Sequence, residues 1–124
     1  MQSIKVLVVD DDMINRKLMG AMLKKKPFTK EVIEASNGQE AIEILRKEKE
    51  IGLVLLDIIM PIMDGIAVLQ IMEADPNLKN IPVIVLTTDE TKKSEALNSG
   101  ANDFIAKPVR ESEIMAKIER LVSL

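Results

Sequence analysis

The sequence has 124 residues, 47% of them apolar, which suits a single globular domain with a core of its own. Cysteine and histidine are both absent, so disulfides, thiolate or imidazole metal ligands and a histidine phosphoacceptor are excluded. A net charge of −3 argues against nucleic-acid binding, and no apolar stretch is long enough to span a bilayer. We therefore expect one cytoplasmic domain over residues 1–124 that binds neither nucleic acid nor membrane.

The first half of the chain alternates between predicted strands and helices. Continuous apolar, β-branched runs predict buried strands, and apolar residues three or four positions apart predict helices. In the first helix Ile14, Leu18 and Met22 share one face, and Met19 and Leu23 widen this apolar stripe. The predicted order is a strand over Lys5–Val9, a helix over Met13–Lys25, a weaker strand over Thr29–Ala35, a helix over 38–48 and a buried strand over Leu53–Asp57.

The second half continues the same alternation. Pro61 lies in the loop after the third strand, and Gly100 is a natural residue to end a short polar helix, because glycine tolerates the left-handed conformation there. The predicted order is a helix over Gly65–Ala74, a strand over Pro82–Thr87, a helix over Thr91–Ser99, a strand over Asp103–Ala106 and a helix over Ser112–Leu121.

Five strand–helix pairs in strict alternation predict an α/β fold, a doubly wound five-stranded parallel sheet with five helices on both faces. The first, third and fourth strands are almost wholly apolar and belong in the middle of the sheet, whereas the half-polar second and the short fifth form its edges. With right-handed crossovers, and with the first and third strands as neighbours, the strand order is 2-1-3-4-5. Ligands of such sheets bind beyond the strand ends where that order reverses.

Four of the predicted strands end in residues suited to metal or phosphate chemistry. These residues are Asp10–Asp12, Asp57, Thr87 and Lys107. Singly, each has an ordinary explanation as a helix cap, a loop residue or a surface lysine. Together they meet at one edge of a parallel sheet, where two carboxylates about 4 Å apart repel by about 4 kcal/mol. The cluster therefore needs cations, and ligands that are all oxygen point to Mg²⁺ beside the lysine.

Longer motifs surround these residues and carry a family resemblance. They are KVLVVDD at Lys5–Asp11, LDIIMPIMDG at Leu56–Gly65, PVIVLT at Pro82–Thr87 and GANDFIAKP at Gly100–Pro108. In these motifs, and over essentially its whole length, the chain resembles a response-regulator receiver domain of two-component signalling.

The resemblance implies a role for each residue of the predicted site. Asp57 would be the phosphoacceptor. Asp10 and Asp11 would hold Mg²⁺ together with Asp57 and the main-chain carbonyl of Ile59. Lys107 would pair with Asp57 or with a phosphoryl oxygen. The position of Arg16 relative to the aspartates matches the family's spacing when Asp10 and Asp11 are the metal pair, which leaves Asp12 as an additional acid and a helix cap.

The resemblance also implies a switch. Thr87 and the main-chain N–H of Thr88 would bind the phosphoryl group, and Phe104 would turn inward as Thr87 moves. This change would remodel the surface of the fourth helix, fifth strand and fifth helix. Pro108 would follow a cis peptide bond that aims Lys107. Plain core burial is the competing explanation for Phe104, because the chain has only two aromatic residues.

The same resemblance implies the partners. Since the chain lacks histidine, the donor must act in trans, as a histidine kinase or a histidine phosphotransfer protein. The remodelled surface would engage a downstream protein or a second copy of the chain. The expected protein is a signalling module, not an enzyme, and catalyses only its own phosphorylation and dephosphorylation. We expect a single receiver domain with no output domain, either stand-alone or part of a larger regulator or hybrid kinase.

Three alternatives remain open at this point. A Mg²⁺-dependent phosphohydrolase with an aspartyl-phosphate intermediate would need an acid two residues after Asp57, where this chain has Ile59. A flavin-binding module would place its phosphate against Asp10–Asp12, with no Tyr or Trp to stack on the ring. The third alternative is a receiver-like interaction module that is never phosphorylated.

Overall fold

The structure is a computed structural model that describes residues 3–122, so the outer ends of the domain predicted over 1–124 lie outside the described residues. Within that range no helix is long and apolar enough to cross a bilayer. The strands are β1 (Ile4–Val9), β2 (Thr29–Ala35), β3 (Ile51–Asp57), β4 (Val83–Thr87) and β5 (Asp103–Ala106). The α-helices are α1 (Met13–Lys24), α2 (Gly38–Lys47), α3 (Gly65–Ala74), α4 (Lys93–Asn98) and α5 (Glu111–Leu121).

The sheet has the predicted strand order. All neighbouring strands pair in parallel, in the order β2-β1-β3-β4-β5. Val9 lies opposite Leu56, so the aspartates after β1 emerge beside Asp57. Thr87 lies opposite Ala106, so Lys107 emerges beside Thr87. The register therefore brings four distant segments of the chain to one edge of the sheet.

Alternate residues of each strand supply two separate cores, because successive side chains in a strand point to opposite faces of the sheet. Leu7 and Val9 of β1 belong to the core beneath α2, α3 and α4. Val6 and Val8 belong to the core beneath α1 and α5. Each face of the sheet thus buries its own apolar layer. The polar groups lie at the carboxyl ends of the strands, between the two layers.

The inward face of α1 differs from the apolar stripe seen in the sequence. Ile14 and Leu18 are each 66% exposed, whereas Gly20 and Leu23 are buried. A Cβ at Gly20 would lie 3.6 Å from the side chain of Val32, an ordinary van der Waals distance, so Gly20 lies on the side of the helix that packs against β2. Ile14 and Leu18 lie on the opposite side of the helix from Gly20 and Leu23, where they form an exposed apolar surface next to the carboxyl ends of the strands.

The predicted fourth helix is divided into two short pieces. A turn of 3-10 helix covers Glu90–Lys92 and leads directly into α4. The carboxylate of Asp89 accepts hydrogen bonds from the N–H and the hydroxyl of Thr91, which starts a tight turn in place of a regular α-helical one. Gly100, with φ of 117°, follows the helix in the conformation that the sequence predicts.

Candidate functional site

Three carboxylates meet where β1 and β3 end. Oxygen atoms of Asp10, Asp11 and Asp57 all lie within 4.8 Å of one another. Asp10 is buried, with 6% of its surface exposed, and Asp11 is open to solvent. Carboxylates this close repel strongly where water screens them poorly. The cluster predicted from the sequence is therefore present, and it requires positive charge nearby.

Lys107 supplies the nearest positive charge. Its ammonium group lies 2.9 Å from Oδ2 of Asp10 and 3.1 Å from Oδ2 of Asp57, and only 17% of its side chain is exposed. The main-chain N–H of Lys107 donates to the carbonyl of Thr87 at 2.9 Å, which ties this segment to the end of β4. The Lys107–Pro108 peptide bond is cis. One lysine thus bridges two of the three carboxylates.

The electrostatics of the pocket leave it short of positive charge. Burial raises the pKa of Asp57, and the Asp10 carboxylate raises it further, although Lys107 and the Ile58 N–H offset part of the increase. Burial lowers the pKa of Lys107, but hydrogen bonds and charge attraction from Asp10 and Asp57 outweigh this and raise it above its usual value. The lysine is therefore charged at neutral pH, and one positive charge faces three acidic groups.

The turn between β1 and α1 separates the roles of its three aspartates. The carboxylate of Asp10 accepts a hydrogen bond from the N–H of Asp12 at 2.9 Å. The carboxylate of Asp12 in turn accepts from the N–H of Ile14 at 2.9 Å and so caps α1. Asp12 thereby serves the helix, as its position in the sequence indicates, whereas Asp10 and Asp11 share a cluster with Asp57.

A glycine holds the loop after β3 against Asp57. The N–H of Gly65 donates to the carbonyl of Ile58 at 2.8 Å, and a Cβ at Gly65 would lie 2.4 Å from the carbonyl oxygen of Asp57. No larger residue fits that approach. The N–H of Ile58 donates to Oδ1 of Asp57 at 2.7 Å and orients the carboxylate. The sequence motif contains Gly65, but only the folded geometry reveals why it must be glycine.

The donor set of the pocket fits a hard divalent cation. It consists of oxygen atoms, which Mg²⁺ prefers. In the described part of the chain the main-chain carbonyl of Ile59 accepts no hydrogen bond, so it is available as a further ligand. Asp10, Asp11 and Asp57 are the residues that would hold the ion, and the Ile59 carbonyl stays a ligand that the family resemblance implies.

Thr87 and Phe104 lie on neighbouring strands and on the same face of the sheet, but two residues apart along the strands, since Phe104 pairs with Val85 and Thr87 pairs with Ala106. Thr87 is fully buried, and its hydroxyl oxygen accepts a hydrogen bond from the N–H of Asp89 at 3.2 Å. Phe104 is 8% exposed and shares a core cluster with Ala96 of α4. The Phe104 ring is therefore part of the core in this structure. Thr88 is exposed at the mouth of the pocket.

An apolar groove of about 560 Å³ adjoins the site on its α1 side. The site residues Asp10, Thr88 and Lys107 are part of the lining of the groove. Its apolar lining includes Leu18, Met19, Met22, Pro108 and Val109. The sequence of α1 contains Leu18, Met19 and Met22, but it does not show that they line a groove. The side of the helix on which they lie relative to the sheet depends on how the helix packs.

Comparison with known proteins agrees with this geometry. Residues 6–119 match the model of the response regulator receiver domain family. The transcriptional regulatory protein SrrA of Staphylococcus aureus is 38% identical over 120 residues, which cover 95% of this chain and 47% of SrrA. The chain therefore spans about half the length of this relative.

Two solved structures are similar over almost the whole fold. One is the signal receiver domain of a signal transduction histidine kinase from Syntrophus aciditrophicus, with a TM-score of 0.87, 30% identity and coverage of 98% of this chain and 91% of that one. The other is the phosphorylated cyanobacterial phytochrome response regulator RcpA, with a TM-score of 0.81, 32% identity and coverage of 95% and 92%. From its motifs, its sheet order and these matches, the chain belongs to the family of response regulator receiver domains.

Proposed function

We propose that this chain receives a phosphoryl group on Asp57 from a phosphohistidine of a histidine kinase or a histidine phosphotransfer protein. The observation that carries the proposal is the convergence of Asp10, Asp11 and Asp57 on one lysine at the end of the sheet. Membership of a family of signalling modules supports it. The chain's own chemistry would be limited to gaining and losing this phosphoryl group, in the cytoplasm where its donor acts.

The transfer requires the chain mainly to position charges. A carboxylate oxygen of Asp57 attacks the phosphorus in line and the phosphorus–nitrogen bond breaks. The donor's imidazole leaves as a neutral ring that keeps the proton it already carries on its other nitrogen. When bound at the carboxylates, Mg²⁺ supplies two positive charges that offset the negative pocket and the phosphoryl oxygens. Lys107 already contacts Asp57, so its ammonium group is placed to pair with an oxygen of a phosphoryl group on that residue.

Thr87 would couple the new phosphoryl group to the α4–β5–α5 surface. In the present conformation its hydroxyl oxygen accepts the Asp89 N–H. If the Thr87 hydroxyl turns to donate to a phosphoryl oxygen, its hydrogen bond from the Asp89 N–H becomes weaker, at the start of the segment that leads to α4. The N–H of Thr88 would be a second donor to the phosphoryl group. Because Phe104 is already buried with Ala96, the change would act through the packing of α4 on that ring. A downstream protein or a second copy would then bind the altered surface.

The donor would dock on the exposed face of α1. A phosphohistidine must reach the mouth of the pocket, and the apolar groove is continuous with that mouth. Met13, Ile14 and Leu18 are 60%, 66% and 66% exposed beside it. Exposed apolar side chains that border a polar site are typical of a protein interface. The proposal therefore assigns this face to the protein that delivers the phosphoryl group.

The first test uses beryllofluoride with Mg²⁺ as a mimic of the phosphoryl group. Addition to the wild-type chain should shift the backbone amide signals of Thr87, Thr88 and Phe104, and the variant Asp57→Asn should show no such shifts. An unchanged wild-type spectrum would count against phosphoacceptance and favour an interaction module that is never phosphorylated.

The second test separates docking from chemistry. Leu18→Glu should slow transfer at least tenfold from a phosphorylated kinase domain that modifies the wild-type chain, because a charge replaces an apolar contact. Phosphorylation by acetyl phosphate should be unchanged, since a small donor needs no docking face. Leu97→Glu is the matched control, because Leu97 is an exposed apolar residue, 39% accessible, on α4. A wild-type rate of transfer from the kinase domain to Leu18→Glu would place the docking face elsewhere.

A further inference from the structure

Arg16 links the acidic pocket to the edge of the sheet. It lies in the first turn of α1, and its Nη1 donates to the main-chain carbonyl of Asp10 at 2.8 Å. Its Nε donates to Oε1 of Glu34, near the end of β2, at 3.0 Å. Only 15% of the Arg16 side chain is exposed. A single guanidinium therefore links the end of β2 to the turn between β1 and α1.

The carbonyl that Arg16 holds belongs to the peptide group joining Asp10 to Asp11. The other polar groups of Asp10 are also engaged: its N–H donates to the carbonyl of Ala35 at 3.1 Å, and its carboxylate accepts from Asp12 and Lys107. Rotation of the Asp10–Asp11 peptide plane would break the bond to Arg16. The direction in which the Asp11 side chain leaves the backbone therefore depends on that bond.

We propose that Arg16 is a positioning residue for the divalent-cation site, because it fixes the peptide plane between the carboxylates of Asp10 and Asp11. The inference rests on the proposed function in that it takes these two carboxylates as ligands of Mg²⁺. Groups that orient metal ligands from behind typically change metal affinity 10- to 100-fold when they are removed. In the described residues the side chain of Arg16 donates to Glu34 and to the Asp10 carbonyl and to none of the three clustered carboxylates, so its contribution acts through the Asp10–Asp11 peptide group.

Charge gives a way to separate positioning from electrostatics. A guanidinium near a cation site repels the cation, so removing that charge should tighten Mg²⁺ binding if electrostatics were the only effect. Loss of positioning should weaken binding. Arg16→Gln therefore gives opposite signs under the two explanations. Arg16→Lys keeps the charge but lacks the planar fork that reaches two acceptors at once, so it should also weaken binding.

Lys17 provides a matched control within the same cluster. Its ammonium group lies 2.8 Å from Oε2 of Glu34, and its side chain is 66% exposed. Within residues 3–122 its side chain makes no hydrogen bond to Asp10. Lys17→Gln thus removes one positive charge and one contact to Glu34, and it leaves the Asp10 carbonyl bonded to Arg16.

The experiment measures the dissociation constant of Mg²⁺ for metal-free protein by following backbone amide signals. Arg16→Gln and Arg16→Lys should each raise it by about tenfold. Lys17→Gln should change it less than twofold. Melting curves in the absence of metal identify a temperature at which all variants are folded, so that a lowered melting temperature alone does not alter the result. An unchanged or lower constant for Arg16→Gln would overturn the inference, as would equal weakening by Lys17→Gln.

The wild type and Asp11→Asn separate this inference from the proposal beneath it. Wild-type protein that shows no Mg²⁺-dependent shifts would overturn the metal site itself, and with it any positioning role. A different result would remove the role of Arg16 alone and leave the proposed function standing. In that case the wild type binds Mg²⁺, Asp11→Asn does not bind it, and both Arg16 variants bind it with wild-type affinity.

Discussion

Both ends of β5 carry aspartate carboxylates paired with basic side chains, but the ratio of negative to positive charges is opposite at the two ends. At its start Asp103 lies 3.0 Å from Lys117 and 3.9 Å from Arg120, and it accepts a hydrogen bond from the N–H of Phe104. Just beyond its end Lys107 faces Asp10 and Asp57. One carboxylate has two cations at the first end, and one cation has two carboxylates at the second.

The acidities of the two aspartates follow this difference. Burial raises the pKa of Asp103, but the Phe104 N–H and Lys117 outweigh it, so the pKa falls below its usual value. Burial also raises the pKa of Asp57, and there Lys107 is not enough to reverse it. The charge of Asp103 at the start of β5 is thus balanced by the chain itself, whereas the other end of β5 carries an excess of negative charge that a bound cation would offset.

Loss of the bridging lysine should have the largest effect on stability. Lys107→Met leaves the Asp10 and Asp57 carboxylates without a cation, which should lower the free energy of unfolding by about 3 kcal/mol in metal-free buffer. Mg²⁺ should recover part of that loss. Lys117→Met, at the opposite end of β5, should cost less than about 1 kcal/mol and be insensitive to Mg²⁺. Urea unfolding with and without Mg²⁺ measures both, and equal costs would contradict the comparison.

The same substitution at the two aspartates should have opposite signs. At neutral pH without metal, Asp57→Asn removes one of three crowded carboxylates and should stabilise the fold by about 1 kcal/mol. Asp103→Asn breaks a satisfied pair and should destabilise it by about 1 kcal/mol. Thermal or urea unfolding at neutral pH, on metal-free protein, provides the comparison. Destabilisation by both substitutions would mean that the pocket is less strained than its charges indicate.

Lowering the pH should reduce the difference in the free energy of unfolding between the wild type and each of the two variants, Asp57→Asn and Asp103→Asn. Because the pKa of Asp57 is raised in the folded state, its stabilising contribution is present at low pH and is lost as the pH rises through that pKa. The pKa of Asp103 is lowered, so its contribution is present at neutral pH and is lost as the pH falls through its folded-state pKa. Unfolding measured from neutral to acidic pH should show both variants converging on the wild type at acidic pH.

The sequence predicts the sheet and the residues at its edge because both depend on local patterns. Apolar runs identify the strands, and the residue after each run falls at the same edge once the strands are parallel. The direction of a helix face depends instead on how closely the helix approaches the sheet. Gly20 and Leu23 lie on the side of α1 that packs against the sheet, whereas Ile14 and Leu18 lie on the other side and face solvent although they share an apolar row.

The contacts of Arg16 and Gly65 were equally beyond prediction from the sequence. Arg16 reaches a main-chain carbonyl and a residue on another strand, and Gly65 is required by a backbone atom eight positions earlier. Neither contact follows from spacing along the chain, because both join atoms that only the folded backbone brings together. The division of the predicted fourth helix depends likewise on a local bond between Asp89 and Thr91.

The loop after β3 is anchored so that its exposed part can change without disturbing its chemistry. Gly65 fastens one end to Ile58, and the N–H of Gly38 donates to the carbonyl of Met63 at 3.0 Å. Between these anchors Ile59 and Ile62 are 56% and 76% exposed. Substitutions at these two side chains leave the anchors and the Asp57 backbone in place. The loop is therefore a place where evolution or a protein engineer can vary the rim of the pocket while keeping the position of Asp57 constant.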